Sequence, residues 1–83
     1  MTITMPRKQQ SIETISIPSG TIIFKLACQK HRVLSIWYLE NDNIEVPFRL
    51  NIVSTKASIN IEQWAYIDTV FDGTFVRHIF GET

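Results

Sequence analysis

The sequence contains little of what several common protein classes require. Its single cysteine, Cys28, excludes an intrachain disulfide framework and a multi-cysteine zinc site. The three glycines lie far apart, so there is no glycine-rich phosphate loop. The longest unbroken apolar run, residues 36–39, is too short to cross a membrane, and no signal peptide is evident at the amino terminus. We therefore expect a cytoplasmic protein without a membrane partner.

Charge is also scarce and balanced. Eight Lys and Arg residues face eight Asp and Glu residues, so the formal net charge of the 83-residue chain is zero. A neutral chain has no basic field to hold duplex phosphates, which argues against double-stranded DNA as a partner. With 45% apolar residues the chain is too hydrophobic for disorder, and its length predicts one domain over residues 1–83. Residues 1–10 are predicted to form an extended arm or a further strand.

Strand-forming residue types dominate what is present. Ile, Val, Thr and the aromatic residues make up 35 of the 83 positions, whereas Ala and Leu make up only 7. This balance predicts an all-β fold, a small antiparallel meander of five to seven strands. At most one short helical turn is expected, within residues 54–63 and capped by Asn60. Such a sheet buries one face by forming a curled barrel or a two-sheet sandwich, and we expect the barrel.

Hydrophobic periodicity places the main strands. Residues 44–52 alternate apolar and polar side chains, which is typical of a strand with one buried face. Within it, Pro47 lacks an amide donor and indicates an edge or a bulge. Residues 32–40 are apolar on both faces and should form a central strand. In residues 21–28, alternation puts Ile22 in the core together with Cys28.

Turn residues separate these strands. Ile17–Gly20 carries a Pro-Ser-Gly turn pattern, residues 29–31 should close a hairpin, and residues 40–43 are rich in Asn and Asp. Two β-like segments, 64–71 and 74–80, flank Asp72-Gly73, a strong two-residue hairpin pattern.

Catalytic patterns are weak. His31 and His78 lie 47 residues apart, so no metal-ligand spacing is present. Cys28 and His78 could form a nucleophilic pair only through the fold, and the phase of Cys28 favours a structural, buried thiol instead. We therefore expect no catalytic residue, no metal and no cofactor, and a protein that is not an enzyme.

A single carboxylate stands out in the segment before the hairpin. Asp68 is in phase with Trp64, Tyr66 and Val70, so its carboxylate needs a partner if that face is buried. The alternative is a half-covered face on which Asp68 meets solvent or a backbone donor.

A ligand site can be assembled from the polar and aromatic residues of the last strands. Guanidinium groups can hold phosphate and aromatic planes can stack on a base, so convergence at one edge would suit a nucleotide-like ligand. The candidate ligand-binding residues are Arg49, Trp64, Tyr66, Arg77 and His78. The alternative is structural: Arg77 reaches out of the sheet to solvent, the aromatic rings are core, and His78 is a hydrogen-bonding residue.

A series of short motifs resembles a family of small proteins, mostly encoded by phages and prophages, whose function is unassigned. The matching stretches are Ile17–Gly20 with Ile22-Ile23, Gln29 with Leu34–Trp37, Phe48-Arg49, Tyr66–Val70 and Phe75–Phe80. The sequence departs from the family pattern at Asp68, where glycine is usual, at Arg77, where tryptophan is frequent, and around residues 52–56, where a Gly-Thr-Gly turn is usual. The resemblance implies a viral accessory protein in the cytoplasm of a host cell and supplies no catalytic residues.

Two hypotheses about function follow. The first is a non-enzymatic binding protein, a homodimer or higher homo-oligomer, that blocks a host defence protein or sequesters a small nucleotide signal. The second is a small β-barrel that binds single-stranded nucleic acid, with Trp37, Trp64, Tyr66 and Phe75 as stacking platforms beside Lys25, Arg49 and Arg77. A purely structural or oligomerisation module is a further alternative.

Overall fold

Two antiparallel sheets face each other across one hydrophobic core. The computed structural model describes residues 1–39 and 43–83, apart from the side chain of Phe24. In chain order the strands are β1 (Thr2–Thr4), β2 (Gln10–Pro18), β3 (Ile22–Lys30), β4 (Val33–Leu39), β5 (Glu45–Val53), β6 (Trp64–Asp72) and β7 (Phe75–Glu82). The described part of the chain contains no helix, which confirms the predicted all-β class.

The strands are divided three and four between the sheets. The first sheet has the order β1-β4-β3 and the second β2-β5-β7-β6, with β3 lying against β6 where the sheets meet. The fold is thus the two-sheet sandwich rather than the barrel that we expected, because two facing sheets bury two apolar faces at once. Only β3–β4 and β6–β7 are hairpins between neighbours in the chain, so the predicted simple meander is wrong in its connections.

The core lies between the two inner faces. Leu34 and Ile36 of β4 meet Leu50 of β5 and Ile79 of β7, and none of the four side chains is more than 2% exposed. Each such side chain contributes about 1.5–3 kcal/mol through removal of its apolar surface from water. These contacts hold the two sheets together face to face.

The two strands with the clearest sequence patterns lie where they were predicted. β4 pairs with β1 on one side and with β3 on the other, so it is the central strand of its sheet. β5 pairs along its whole length with β2, but β7 accompanies it only from Leu50 to Val53. Pro47 therefore lies where β5 has one pairing partner, as its missing amide donor requires.

Two bulges change which side chains face inward. A register shift between Ile23 and Lys25 turns Ile22 outward, where it is 63% exposed, and packs Ile23 against the core. A second shift in β6 pairs Tyr66 with Phe80 but Asp68 with the adjacent Ile79. The faces predicted from strict alternation are wrong at both places, because one extra residue in a strand reverses the face of every residue after it relative to those before it.

Backbone conformation explains the turns. Gly20 has φ of 73°, and the Thr21 amide donates to the Pro18 carbonyl at 3.2 Å, which closes the predicted turn. Gly73 has φ of 61° and starts a two-residue loop, so the hairpin loop is Gly73-Thr74, one residue later than predicted. Most of the predicted connection at residues 40–43 lies outside the described residues.

The connection between β5 and β6 crosses over β7 on the outer face of the second sheet. It contains residues 54–63. On the same face, Asn51 is fully buried although it points away from the core, and its Oδ1 accepts from Nε2 of Gln10 at 3.2 Å. Asn60 closes a turn in it: its carbonyl accepts from the Gln63 amide at 3.1 Å, and its side-chain Oδ1 accepts from the Glu62 amide at 2.9 Å. The predicted capping residue is therefore confirmed, in a turn rather than a helix.

We predict that Gly81→Ala destabilises the fold by about 1–3 kcal/mol through overpacking. A Cβ at this position would lie 2.6 Å from Cζ of Phe48 and 3.0 Å from Cδ1 of Ile67, inside the core. Urea denaturation measures the change. The double variant Phe48→Leu/Gly81→Ala lacks Cζ and should be destabilised by less than the sum of the two single changes; strict additivity would contradict the steric explanation.

Candidate functional site

Two of the predicted ligand-binding residues pair with each other at the carboxyl end of β7. The Arg49 guanidinium lies 5.4 Å from the Trp64 ring centroid, and its Nε donates to Oε2 of Glu82 at 2.8 Å. The Arg49 side chain, together with the Arg49 amide that donates to Oε1 of Glu82 at 3.2 Å, lowers the pKa of Glu82. Trp64 is only 7% exposed beneath this pair. The Arg49 charge is therefore already matched by a carboxylate, and the Trp64 ring has no open face for a base.

Tyr66 and His78 belong to a hydrogen-bonded chain on the outer face. The Tyr66 hydroxyl meets Thr69 Oγ1 at 2.6 Å, Thr69 Oγ1 meets Nδ1 of His78 at 2.9 Å, and Nε2 of His78 meets Thr55 Oγ1 at 3.1 Å. Both ring nitrogens of His78 thus have partners. The arrangement ties the start of the 54–63 connection to β7, which supports the structural alternative for His78.

Arg77 lies at the opposite end of β7 from the group formed by Arg49, Trp64 and Glu82. Arg77 pairs with Val70 and precedes Glu82 by five residues along β7. Because Arg49 is bonded to Glu82, the structure does not bring Arg77 together with Arg49. Arg77 also faces inward and is only 8% exposed, so the prediction that it reaches out to solvent is wrong. The predicted convergence of Arg77 with Arg49 and Trp64 at one edge is therefore not formed, and Arg77 belongs to a separate site at the amino end of β7.

A basic cleft of about 740 Å³ opens at that end of the sandwich. It lies between the β1–β2 linker, the β3–β4 turn, the start of the 54–63 connection and the β6–β7 hairpin. Its charged lining residues are Arg7, Lys8, His31, Arg32, Lys56, Arg77 and Asp72. Five of the chain's eight Lys and Arg side chains therefore line one cleft, and of the acidic side chains that the structure describes only Asp72 joins them. A chain with zero net charge thus has a strongly positive concave surface.

The Arg77 guanidinium is buried without a matching anion. Its Nη1 donates to the Lys8 carbonyl at 3.1 Å, and its Cζ lies 5.6 Å from the Phe75 ring centroid. Its buried Nε has no hydrogen-bond partner, and within residues 1–39 and 43–83 no carboxylate pairs with it. Ser54, which also lines the cleft, has a buried hydroxyl without a partner. Because unpaired buried charge is costly, this wall of the cleft is suited to an anion.

The Asp72 carboxylate in the cleft accepts hydrogen bonds at both of its oxygens. Asp72 is 4% exposed; its Oδ1 accepts from Nδ1 of His31 at 3.0 Å and its Oδ2 from the Arg32 amide at 3.1 Å. Burial alone would raise the pKa of Asp72, but the hydrogen bonds from Arg32 and His31 outweigh burial and lower it. The same contacts hold Arg32 at φ of 63°, an unusual conformation for a residue other than glycine. Asp72 therefore joins the hairpins of the two sheets.

Two arginines hold the β1–β2 linker across the end of the sandwich. Nε of Arg32 donates to the Met5 carbonyl at 3.0 Å, and the Met5 amide donates to the Arg32 carbonyl at 2.6 Å. Arg77 holds the other end of the linker through the Lys8 carbonyl. An arginine has five N–H donors, so both side chains retain donors after these contacts.

Cys28 lies next to this cluster but not in a nucleophilic arrangement. Its thiol donates to the Lys30 carbonyl at 2.9 Å, and burial together with the nearby Asp72 carboxylate raises its pKa. His78 is on the outer face of the other sheet, so the conceivable Cys28–His78 pair is not formed. Over the described ranges, no group of three His, Cys, Asp or Glu side chains could hold a metal ion.

Arg77 was among the predicted ligand-binding residues, but the other cations of the cleft were missed because they are dispersed in the sequence. Arg7-Lys8, His31-Arg32, Lys56 and Arg77 come from four separate segments, and a net charge of zero conceals their convergence. One indication was available: three of these segments lie in linkers or turns, where exposed cations can gather at one end of a sandwich.

Comparisons with known proteins give a family but no function. Residues 2–83 match a family described as a domain of unknown function, DUF7352. The chain belongs to this family. No curated protein and no solved structure matches it. Across residues 1–39 and 43–83, nothing helical has the length and hydropathy that a membrane crossing requires.

We predict that Asp72→Asn destabilises the protein by about 2 kcal/mol, because an amide cannot accept from both His31 and the Arg32 amide with the strength of a carboxylate. Asp68→Asn is the matched control. The Asp68 carboxylate accepts only from the amide of its neighbour Thr69, at 2.8 Å, and an asparagine keeps that bond. Urea denaturation should show a change within about 0.5 kcal/mol for the control; equal effects at the two positions would contradict the role given to Asp72.

The lowered pKa of Asp72 predicts acid sensitivity. Its contribution is fully present above its ordinary value of 3.8 and is lost as the pH falls through the lower folded-state pKa. The free energy of unfolding of the wild-type protein should therefore fall more steeply below about pH 4 than that of Asp72→Asn. Chemical denaturation at a series of pH values measures this difference, and parallel curves would show that Asp72 is not responsible.

Proposed function

We propose that this DUF7352 protein is a non-enzymatic binding protein that captures one small phosphate-bearing ligand per chain in the basic cleft. The observation that carries the proposal is the convergence of five of the eight cationic side chains on one concave surface, which Asp72 alone lines among the carboxylates of residues 1–39 and 43–83. A cleft of about 740 Å³ lies in the range of small-molecule sites. Guanidinium and ammonium groups are the side chains that suit phosphate best.

Capture rather than turnover is supported by the state of the reactive groups near the cleft. Asp72 is engaged by two hydrogen bonds, so it is poorly placed to act as a general base. The raised pKa of Cys28 keeps its thiol protonated and therefore weakly nucleophilic. A protein of this kind lowers the free concentration of its ligand in proportion to its own amount.

The cleft also bears on the two versions of the binding hypothesis. Sequestration of a small nucleotide signal needs a concave cationic site, whereas blocking a host protein needs an exposed apolar patch. The basic cleft favours sequestration. The phage or prophage setting in a host cytoplasm remains a proposal that rests on the motif series described above.

Binding of single-stranded nucleic acid has less support. Trp64 is buried under Arg49, and Lys25 lies 4.9 Å from the Trp37 ring centroid on the other sheet. The predicted stacking platforms thus do not line one continuous groove. Fluorescence anisotropy with labelled oligonucleotides at low salt tests this alternative, and length-dependent binding would favour it over capture of a small ligand.

Assembly into a homodimer is a further part of the proposal. β2 is an edge strand of its sheet, and its nine residues pair with β5 on one side. An edge strand of this length can pair with its equivalent in a second chain. Light scattering coupled to size exclusion measures the mass, and a monomer at micromolar concentration would remove this part.

We predict that isothermal titration of the wild-type protein with ATP at low salt shows one site per chain. Lys56→Gln, in the exposed connection, should weaken binding roughly fivefold because it removes one charge from the cleft wall. Lys25→Gln removes the same charge far from the cleft and should leave binding unchanged. Flat titrations with ATP, pyrophosphate and tripolyphosphate, or equal losses in the two variants, would refute capture in the basic cleft.

A further inference from the structure

Phe75 is an exposed aromatic residue in the wall of the basic cleft. It is the first residue of β7, its side chain is 57% exposed, and it lines the cleft with Arg77. An exposed phenylalanine ring lacks the stabilisation that burial would give it. Its exposure beside five cationic side chains is therefore suited to binding a ligand. In the described part of the chain it is the one phenyl, phenol or indole ring that lines the cleft.

We propose that the captured ligand is a nucleotide whose base stacks on Phe75 and whose phosphates lie among the cations of the cleft. This inference rests on the proposed function and specifies its ligand class. An inorganic phosphate would use only the cations, whereas a base needs an aromatic or guanidinium plane. The structure supplies the aromatic plane beside a cation: the Phe75 ring is 57% exposed, and the buried Arg77 guanidinium carbon lies 5.6 Å from its centroid.

Strand geometry sets the spacing between the two binding elements. Phe75 and Arg77 are two residues apart on the same face of β7, a separation of about 7 Å along the strand. That distance is comparable to the span of a ribose between its base and its 5′-phosphate. The tight Gly73-Thr74 loop and the pairing of Phe75 with Asp72 fix the backbone from which the ring projects, and the Arg77 guanidinium lies against the ring.

The cleft is also larger than a phosphate group needs. A volume of about 740 Å³ can hold a nucleoside as well as its phosphates, and the remaining lining is partly apolar, with Val76 beside Phe75. Phe75 thus takes the stacking role in a nucleotide site that the sequence suggested for Trp64 and Tyr66. Trp64 lies under Arg49, and the Tyr66 hydroxyl is bonded to Thr69 on the outer face.

The test compares nucleotides with a ligand that has the same charged group and no base. Wild-type protein is titrated with ATP, GTP, CTP and UTP and with inorganic tripolyphosphate, and the same series is run on Phe75→Leu. Leucine keeps an apolar side chain but removes the ring. Phe71→Leu is the matched control, since Phe71 is 67% exposed on β6 and does not line the cleft. Circular dichroism and thermal unfolding check that both variants are folded.

We expect at least one nucleoside triphosphate to bind the wild-type protein more tightly than tripolyphosphate. Phe75→Leu should weaken binding of that nucleotide roughly tenfold and leave binding of tripolyphosphate unchanged. Phe71→Leu should leave binding of both ligands unchanged. If nucleotides and tripolyphosphate bind equally, or if Phe75→Leu weakens both to the same extent, the inference is wrong while capture of phosphate in the cleft stands. If the wild-type protein binds none of these ligands, the proposed function itself fails.

Discussion

The end of the sandwich that carries the cleft depends on one buried carboxylate. Asp72 belongs to the β6–β7 hairpin, yet its two strongest contacts are to His31 and to the amide of Arg32 in the β3–β4 turn. Each sheet therefore supplies one side of the interaction, and the turn at Arg32 keeps its positive φ because the carboxylate holds it. The Asp72 carboxylate thus connects the β3–β4 turn to the β6–β7 hairpin, and these two segments form two walls of the cleft.

The same region contains cations that stabilise the backbone and still have capacity for a ligand. Arg32 and Arg77 each donate to a carbonyl of the β1–β2 linker, at Met5 and at Lys8. A carbonyl accepts a hydrogen bond but does not neutralise a guanidinium. The positive charge therefore stays in the cleft, and its cost is borne by the packing of the core. An anionic ligand would reduce that cost, which physically couples ligand binding to stability.

Much of the secondary structure could be predicted from local pattern. The central position of β4 followed from a segment that is apolar on both faces, and the single pairing partner of β5 around Pro47 followed from the missing amide donor of that proline. The turns at Gly20 and Gly73 were indicated by residues that adopt positive φ at low cost. These predictions worked because each depends on interactions within a few residues of the chain.

Predictions that depended on the register of distant strands were less accurate. The bulges in β3 and β6 reversed the faces of Ile22 and Asp68, and no local pattern revealed the extra residue. Of the predicted ligand-binding residues, only Arg77 lies in the cleft; Arg49 is paired with Glu82, and His78 is hydrogen-bonded on the outer face. The sites were misjudged because the sequence does not reveal which strands are neighbours in each sheet.

Side-chain chemistry along the chain was enough to predict that it forms strands, where most of the turns lie, and which residues are apolar enough to build a core. Those properties follow from side-chain chemistry and from backbone preferences over a few residues. The division of the strands into two sheets, and the gathering of cations from separate segments around Phe75, became visible only in the folded chain. Charge convergence depends on distances through space, and zero net charge carries no information about them.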